Sequence, residues 1–274
     1  MNTNRAVRRL ALPVACALSF AAQAQEANRT QLEVVTVTAE KRVEDVQKVP
    51  ESISTIDTEK LDIIKSGGDD VQFLSGRVPS LLVESSFGRT YPRFYIRGLG
   101  NSDFDLNSSQ PVSLVYDDVV LENPILKGFP VWDIAQVEVL RGPQGTLFGR
   151  NTPAGVVKFD SKKPTDEPDG YVDFSYANLN TAKFEGAIGG ALAPSWSARV
   201  SFLDQHRDDW VNNTAPGRHD SFGGYDEQAM RVQLQFKPSD AFNALLNVHG
   251  MNYDGSAILF RAQTAGSARL FTAG

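Results

Sequence analysis

Met230-Arg231-Val232-Gln233-Leu234-Gln235-Phe236 puts an apolar side chain at every even position and a polar or charged one at every odd position. A period of two belongs to a β-strand whose two faces meet different surroundings. The same phase recurs at Val172, Phe174 and Tyr176, at Phe184, Gly186 and Ile188, at Trp196, Ala198, Val200 and Phe202, and at Phe242, Ala244, Leu246 and Val248. Between these stand Asp173, Ser175, Lys183, Glu185, Arg199, Ser201, Asn243 and Asn247. One such segment in isolation suits a soluble sandwich. Five in series, with Tyr, Trp and Phe near the segment ends, are the pattern expected of a membrane β-barrel.

The connections fit that expectation. Ala193-Pro194-Ser195 and Pro238-Ser239-Asp240 are tight links, whereas His206 to Asp226 is a long polar one. Membrane barrels have short turns on one side and long loops on the other. Asn178-Leu179-Asn180 is short and departs from the asymmetry. Five strands cannot close a barrel, which needs about eight. Residues 165–274 are therefore expected to be the first part of a barrel, and the chain part of a longer one.

Composition agrees. The chain has 274 residues, 41% of them hydrophobic, which is too apolar for a disordered chain. No mid-chain apolar run approaches the ~20 residues of a membrane helix. At the start, Arg5, Arg8 and Arg9 precede the apolar run Leu10 to Ala22, and Ala22-Gln23-Ala24 has the small-x-small form of a secretory cleavage site. A lipoprotein signal at Cys16 is disfavoured, because Pro13 and Val14 stand where an aliphatic and a small residue are preferred. Removing residues 1–24 takes away three Arg and no acid, leaving 24 basic against 33 acidic groups, a balance of −9. That balance disfavours nucleic-acid binding. It also removes the single Cys, so the exported chain must be stable without disulfides.

Residues 25–48 form a polar tail interrupted by Leu32-Glu33-Val34-Val35-Thr36-Val37-Thr38-Ala39, with five β-branched residues in a row. The run is either the first strand of the next domain or a strand kept for a partner, to be added to a sheet edge by main-chain pairing. Residues 49–164 read as a small α+β domain. Asp57-Thr58 can cap a short helix carrying Leu61 and Ile64, and Asp69-Asp70 another carrying Val71 and Leu74, stopped at Gly76. Strands are expected at 80–84, 93–97, 112–116, 119–121 and 137–140, with Asp117-Asp118 as a hairpin turn.

Ile96-Arg97-Gly98, the run Pro111-Val112-Ser113-Leu114-Val115-Tyr116-Asp117-Asp118-Val119, and the long stretch from Ile134 through Leu140-Arg141-Gly142-Pro143-Gln144-Gly145-Thr146-Leu147-Phe148-Gly149-Arg150-Asn151-Thr152 to Gly155 resemble the plug domain of TonB-dependent outer-membrane receptors. Glu33, Val34, Val35, Thr36, Val37, Thr38 and Ala39 resemble the family's TonB box. Pro153-Ala154-Gly155 departs from the two glycines usual there. The resemblance implies an α+β plug domain followed by the first antiparallel strands of a transmembrane β-barrel. It further implies outer-membrane lipid, TonB and a small-molecule substrate as partners, and energised uptake as the activity. The alternatives are a soluble periplasmic binding module and a ligand-sensing signalling receptor; the latter would need a domain of ~80 residues ahead of the box, where only Gln25 to Gln31 stand.

Gly98, Gly142, Gly145, Gly149 and Gly155 are expected to supply plug turns. A phosphate-cradling role for Gly142 to Gly149 lacks the Gly-Lys-Ser/Thr ending. Arg97, Arg141 and Arg150 are rigid donor forks suited to carboxylates, with Asp173 and Glu185 of the wall as candidate partners, and the resemblance implies the same plug-to-barrel role. His206, His219 and His249 lie far apart and no nucleophile has a local base motif, so no catalytic residue, metal site or cofactor is expected.

Overall fold

The computed structural model of the chain describes residues 35–38, 41–42, 44–64, 70–103, 105, 107–212 and 221–256. The expected signal segment 1–24, together with Glu33, Val34, Ala39 and His219, lies outside the described residues.

An inner domain is built on a five-stranded mixed sheet in the order β3 (Ser52–Asp57), β9 (Ile134–Arg141), β10 (Gly155–Ser161), β7 (Val112–Tyr116), β8 (Val119–Leu121). Strand β10 is central, antiparallel to β9 and parallel to β7. The period of two on these strands explains why both faces are covered. Val157 and Phe159, with Val137, Val139, Leu114 and Tyr116, point into a large core shared with the helix Thr58–Ile64, the 3-10 turn Val71–Leu74 and the hairpin of β4 (Leu81–Ser85) and β5 (Pro92–Ile96). Val156, Leu140 and Val115 point the other way, into a smaller cluster with Phe148 and Val37. Each such buried side chain stabilises by about 1.5–3 kcal/mol.

Strand positions in this domain follow the sequence expectation to within a few residues, and Asp70 caps the 3-10 turn by accepting from Gln72 N. Asp117 and Asp118 form the hairpin turn, with φ of 47° and 68°. Three strands were not expected: β3, β10 and the two-residue β6 (Leu99–Gly100). In Ile53 and Ile56 the apolar signal of β3 is thin, and Val156-Val157-Lys158-Phe159 was masked by its place at the end of a glycine-rich run.

A second sheet of five antiparallel strands follows, hydrogen-bonded in the order β11 (Asp169–Ala177), β12 (Thr181–Ala193), β13 (Trp196–Arg207), β16 (Tyr225–Ser239), β17 (Phe242–Gly255). Two short strands, β14 (Val211–Asn212) and β15 (Ser221–Phe222), pair within the long link. A strand of twelve to fifteen residues at about 3.3 Å each, tilted by about 45°, spans roughly the apolar band of a membrane.

The faces of this sheet are inverted relative to a soluble protein. Many even positions are bare, with Val172 at 71%, Ile188 at 72% and Leu246 at 61% of full exposure. Odd positions of β13 and β16, among them Ser197, Arg199, Ser201, Gln205, Glu227, Arg231 and Gln233, are buried on the side of the inner domain. A soluble sandwich would bury the apolar face instead. At the tight-turn end Trp196 stacks on Phe236 with ring centroids 4.5 Å apart, and Phe242 meets Phe236 at 6.1 Å.

Candidate functional site

Two places carry the chemistry: the docked β-branched tail segment, and the seam between inner domain and wall. In the tail, β1 (Thr36–Val37) pairs antiparallel with β2 (Glu44–Asp45), so the β-prone run has a partner strand of its own. Val37 is buried in the smaller cluster, and Val35 and Thr36 are exposed.

Thr38 is held by charges. Its N–H donates to Glu138 Oε1 at 2.6 Å, and Lys158 Nζ donates to its Oγ1 at 2.6 Å. Lys158 also reaches both oxygens of Asp160 at 2.7 Å. Gln136 Nε2 bonds Glu138 Oε1 at 2.6 Å and Thr36 O at 3.1 Å. Glu138 is fully buried and its Oε2 has no hydrogen bond, so burial pushes its carboxyl above the ordinary range; the Thr38 N–H and nearby Lys158 only partly oppose this.

Along the seam, Arg199 of β13 grips Asp133 of the inner domain through Nε to Oδ2 at 2.8 Å and Nη2 to Oδ1 at 2.6 Å, and reaches Asp169 at 2.7 Å. Arg231 of β16 lies 4.4 Å over the Trp132 ring and 5.3 Å from the Tyr116 ring, a double cation–π contact. Arg89 of the inner domain bonds Glu227 of β16 at 2.8 Å and lies 4.2 Å over Tyr225. Near the middle of the wall strands, Asn247 Nδ2 donates to Asp117 Oδ2 at 2.7 Å and Gln233 Nε2 to Ser161 Oγ at 2.8 Å. These contacts join the inner domain to the wall among the described residues.

The three expected arginines are placed differently. Arg141 bonds Ser54 Oγ at 2.7 Å, Pro79 O at 3.0 Å and Ser80 Oγ at 3.1 Å, all within the inner domain. Burial, and the like charge of Arg97 beside it, lower the Arg141 guanidinium from its ordinary range. Arg97 sits at φ 53° in the β5–β6 turn (β6, Leu99–Gly100). Arg150 is exposed and pairs with Glu122. Their expected partners are elsewhere: Glu185 bonds Lys183 at 3.0 Å, and Asp173 is exposed on β11. For Arg141 the placement follows from its strand, since β9 ends opposite Ser52 of β3, where the hydroxyls of Ser54 and Ser80 and the Pro79 carbonyl meet the guanidinium.

Of the turn glycines, Gly98, Gly142, Gly149 and Gly155 have positive φ, while Gly145 begins the short helix Gly145–Phe148. Gly155 is the most constrained, at φ 150° with a Cβ position only 2.2 Å from Leu140 O. Among the described residues no group of three or more His, Cys, Asp or Glu is arranged to hold a metal, and no helix is long and apolar enough to cross a membrane.

Sequence reasoning missed Arg89, Asp133 and Trp132. The wall side was visible, because Arg199 and Arg231 stand at odd positions, but the loop Val131-Trp132-Asp133 carries no periodic signal.

Residues 45–156 match the model of the TonB-dependent receptor plug domain. The pesticin receptor of Yersinia pestis is 26% identical over 164 residues, covering 60% of this chain and 24% of that protein. The vitamin B12 transporter BtuB of Vibrio vulnificus is 25% identical over 247 residues, 84% of this chain and 36% of the transporter. Among solved structures, the ferric yersiniabactin uptake receptor FyuA of Yersinia pestis aligns with a TM-score of 0.63 and 24% identity, over 69% of this chain and 29% of that one. The pyoverdine receptor FpvA of Pseudomonas aeruginosa aligns with a TM-score of 0.65 and 16% identity, over 84% and 32%. The chain thus spans about a quarter to a third of the length of these relatives.

Proposed function

We propose that this chain, whose residues 45–156 match the plug-domain model, serves in the outer membrane as part of a receptor for energised uptake of a scarce small organic nutrient, and not as an enzyme. The observation that carries this reading is the inverted wall: apolar even positions such as Val172, Ile188 and Leu246 face outward while polar odd positions of β13 and β16 close on the inner domain. Such a sheet is at home only with lipid on one side and a filled lumen on the other.

In this reading ligand bound from outside shifts the plug, the segment Val35–Thr38 is offered to TonB as an added strand, and the pull on it opens a path through the lumen. Siderophores, carbohydrates and cobalamin-like chelates are the candidate ligand classes. Arg97 and Arg141, like charges side by side, are proposed to receive carboxylates from wall strands beyond those described.

The test is fractionation and uptake with the full-length receptor. It should sediment with outer membrane and accumulate one of a panel of ferric chelates or cobalamin only in cells that have TonB. Recovery in the soluble periplasmic fraction, or uptake unchanged without TonB, would overturn the proposal.

A further inference from the structure

Strand β10 touches the wall at one residue and the docked tail at others very close to it. Ser161 accepts from Gln233 Nε2 of the wall and donates from both its N–H and its hydroxyl to Asp117. One and three positions earlier on the same strand, Asp160 and Lys158 carry the ion pair that holds Thr38. The hairpin turn repeats this adjacency. The Asp117 side chain takes Asn247 of β17, and its neighbour Asp118 has Oδ1 3.7 Å from Lys158 Nζ. Both turn residues are in the left-handed region, which fixes how their side chains diverge.

We propose that Asp117, Asp118 and Ser161 form a relay through which the wall positions Lys158, and that Lys158 with Glu138 is the latch holding Thr38, so that the wall contacts of Gln233 and Asn247 decide whether the tail strand is docked or offered. This rests on the uptake reading, in which that strand is the partner's binding element. Lys158 is 2% exposed and Glu138 fully buried. A buried ammonium is tolerated only while its acceptors stay in place. Loss of the Asn247 and Gln233 contacts frees the turn and the end of β10, moves Asp118 and Asp160 away from Lys158, and lets water in at Thr38. Docked and undocked tail are the two states, and each wall contact made only in the docked state biases that equilibrium.

The readout is chemical labelling of Val37→Cys in isolated outer membranes carrying the full-length receptor, with modification followed at that position by mass spectrometry. Val37 is 1% exposed, so its thiol reacts with a polar maleimide only when the tail undocks. Lys158→Met should speed labelling by about tenfold or more, the loss expected of charge-assisted bonds. Asn247→Leu and Gln233→Leu, which touch only the far end of the relay, should speed it severalfold, and Lys158→Arg should restore slow labelling. Labelling of Ile96→Cys, in the large core, should stay slow in every variant, separating undocking from unfolding.

Faster labelling in Lys158→Met with no change in the two wall variants would overturn the relay. Unchanged labelling in all three would overturn the latch as well. The assay involves no transport, so failure of the uptake reading would appear separately, in the fractionation and accumulation experiment.

Discussion

The guanidinium of Arg199 lies edge-on to the carboxylate of Asp133, Nε 2.8 Å from one oxygen and Nη2 2.6 Å from the other, with both side chains sealed from solvent. One partner belongs to the barrel wall and the other to the plug, so this pair reports directly on whether the plug is seated.

Breaking a buried pair by removing one partner leaves an uncompensated charge, at a cost of about 3–5 kcal/mol. Asp133→Asn and Arg199→Met should each loosen the plug in the full-length receptor, seen as faster protease nicking and sensitivity to large antibiotics. The double variant Asp133→Asn/Arg199→Met should recover much of the loss, since neither charge is then stranded. Purely additive damage in the double variant would count against the pair as a unit.

The tail makes a second prediction. Val35→Pro or Thr36→Pro removes a main-chain donor and fixes φ in the strand that a partner would have to pair with. Energised uptake should be abolished and ligand affinity unchanged. Wild-type uptake in the Pro variants would show that strand addition at this segment is not the coupling step.

The wall faces make a third. Ile188 is 72% exposed, in the middle of the apolar band. Ile188→Arg should cost about 2–4 kcal/mol of folding stability in a lipid bilayer, and Ile188→Leu almost nothing. Equal folding yields for the two variants in lipid vesicles would mean that this face does not meet lipid.

Lys127 makes a fourth, through pH. Its ammonium is buried, its hydrogen-bond partners Gln110 Oε1 and Val112 O are neutral, and burial pulls its pKa down from 10.5 to about 8. Between those values the unfolded chain holds the proton that the folded plug has released, so stability rises with pH across that window and the penalty is fully present below about pH 8. The whole step is on the order of 3 kcal/mol. Urea midpoints of the receptor's plug transition at pH 7 and pH 10 should differ in this direction, and Lys127→Met should flatten the difference. A slope that survives in the Met variant would assign it to other groups.

The barrel strands were legible because period two survives in a one-dimensional sequence: Met230 to Phe236 alternates, and the structure turns each residue as the alternation requires. The hairpin at Asp117-Asp118 was legible for the same local reason. The plug-to-wall pairing was not. Arg199 finds Asp133 across 66 positions and Arg89 finds Glu227 across 138, and no local rule links such residues. The surroundings of Arg141 were silent too, since a guanidinium suits a carboxylate on chemistry alone, whereas Ser54, Ser80 and the Pro79 carbonyl lie beside it at the end of β9. The pairing of β1 with β2 was equally silent, since Glu44-Asp45 has no β propensity to announce it.

The inverted wall divides each strand into two heredities. An even position answers only to a fluid, and any apolar side chain of passable size satisfies it. A buried odd position on β13 or β16 can answer to one particular atom of the plug, as Arg199 does to Asp133 and Gln233 to Ser161. Outward residues can therefore drift singly, while inward residues must change in step with their plug partners. A chimera that grafts a relative's plug onto this wall would have to carry that relative's odd positions with it, and could leave every even position untouched.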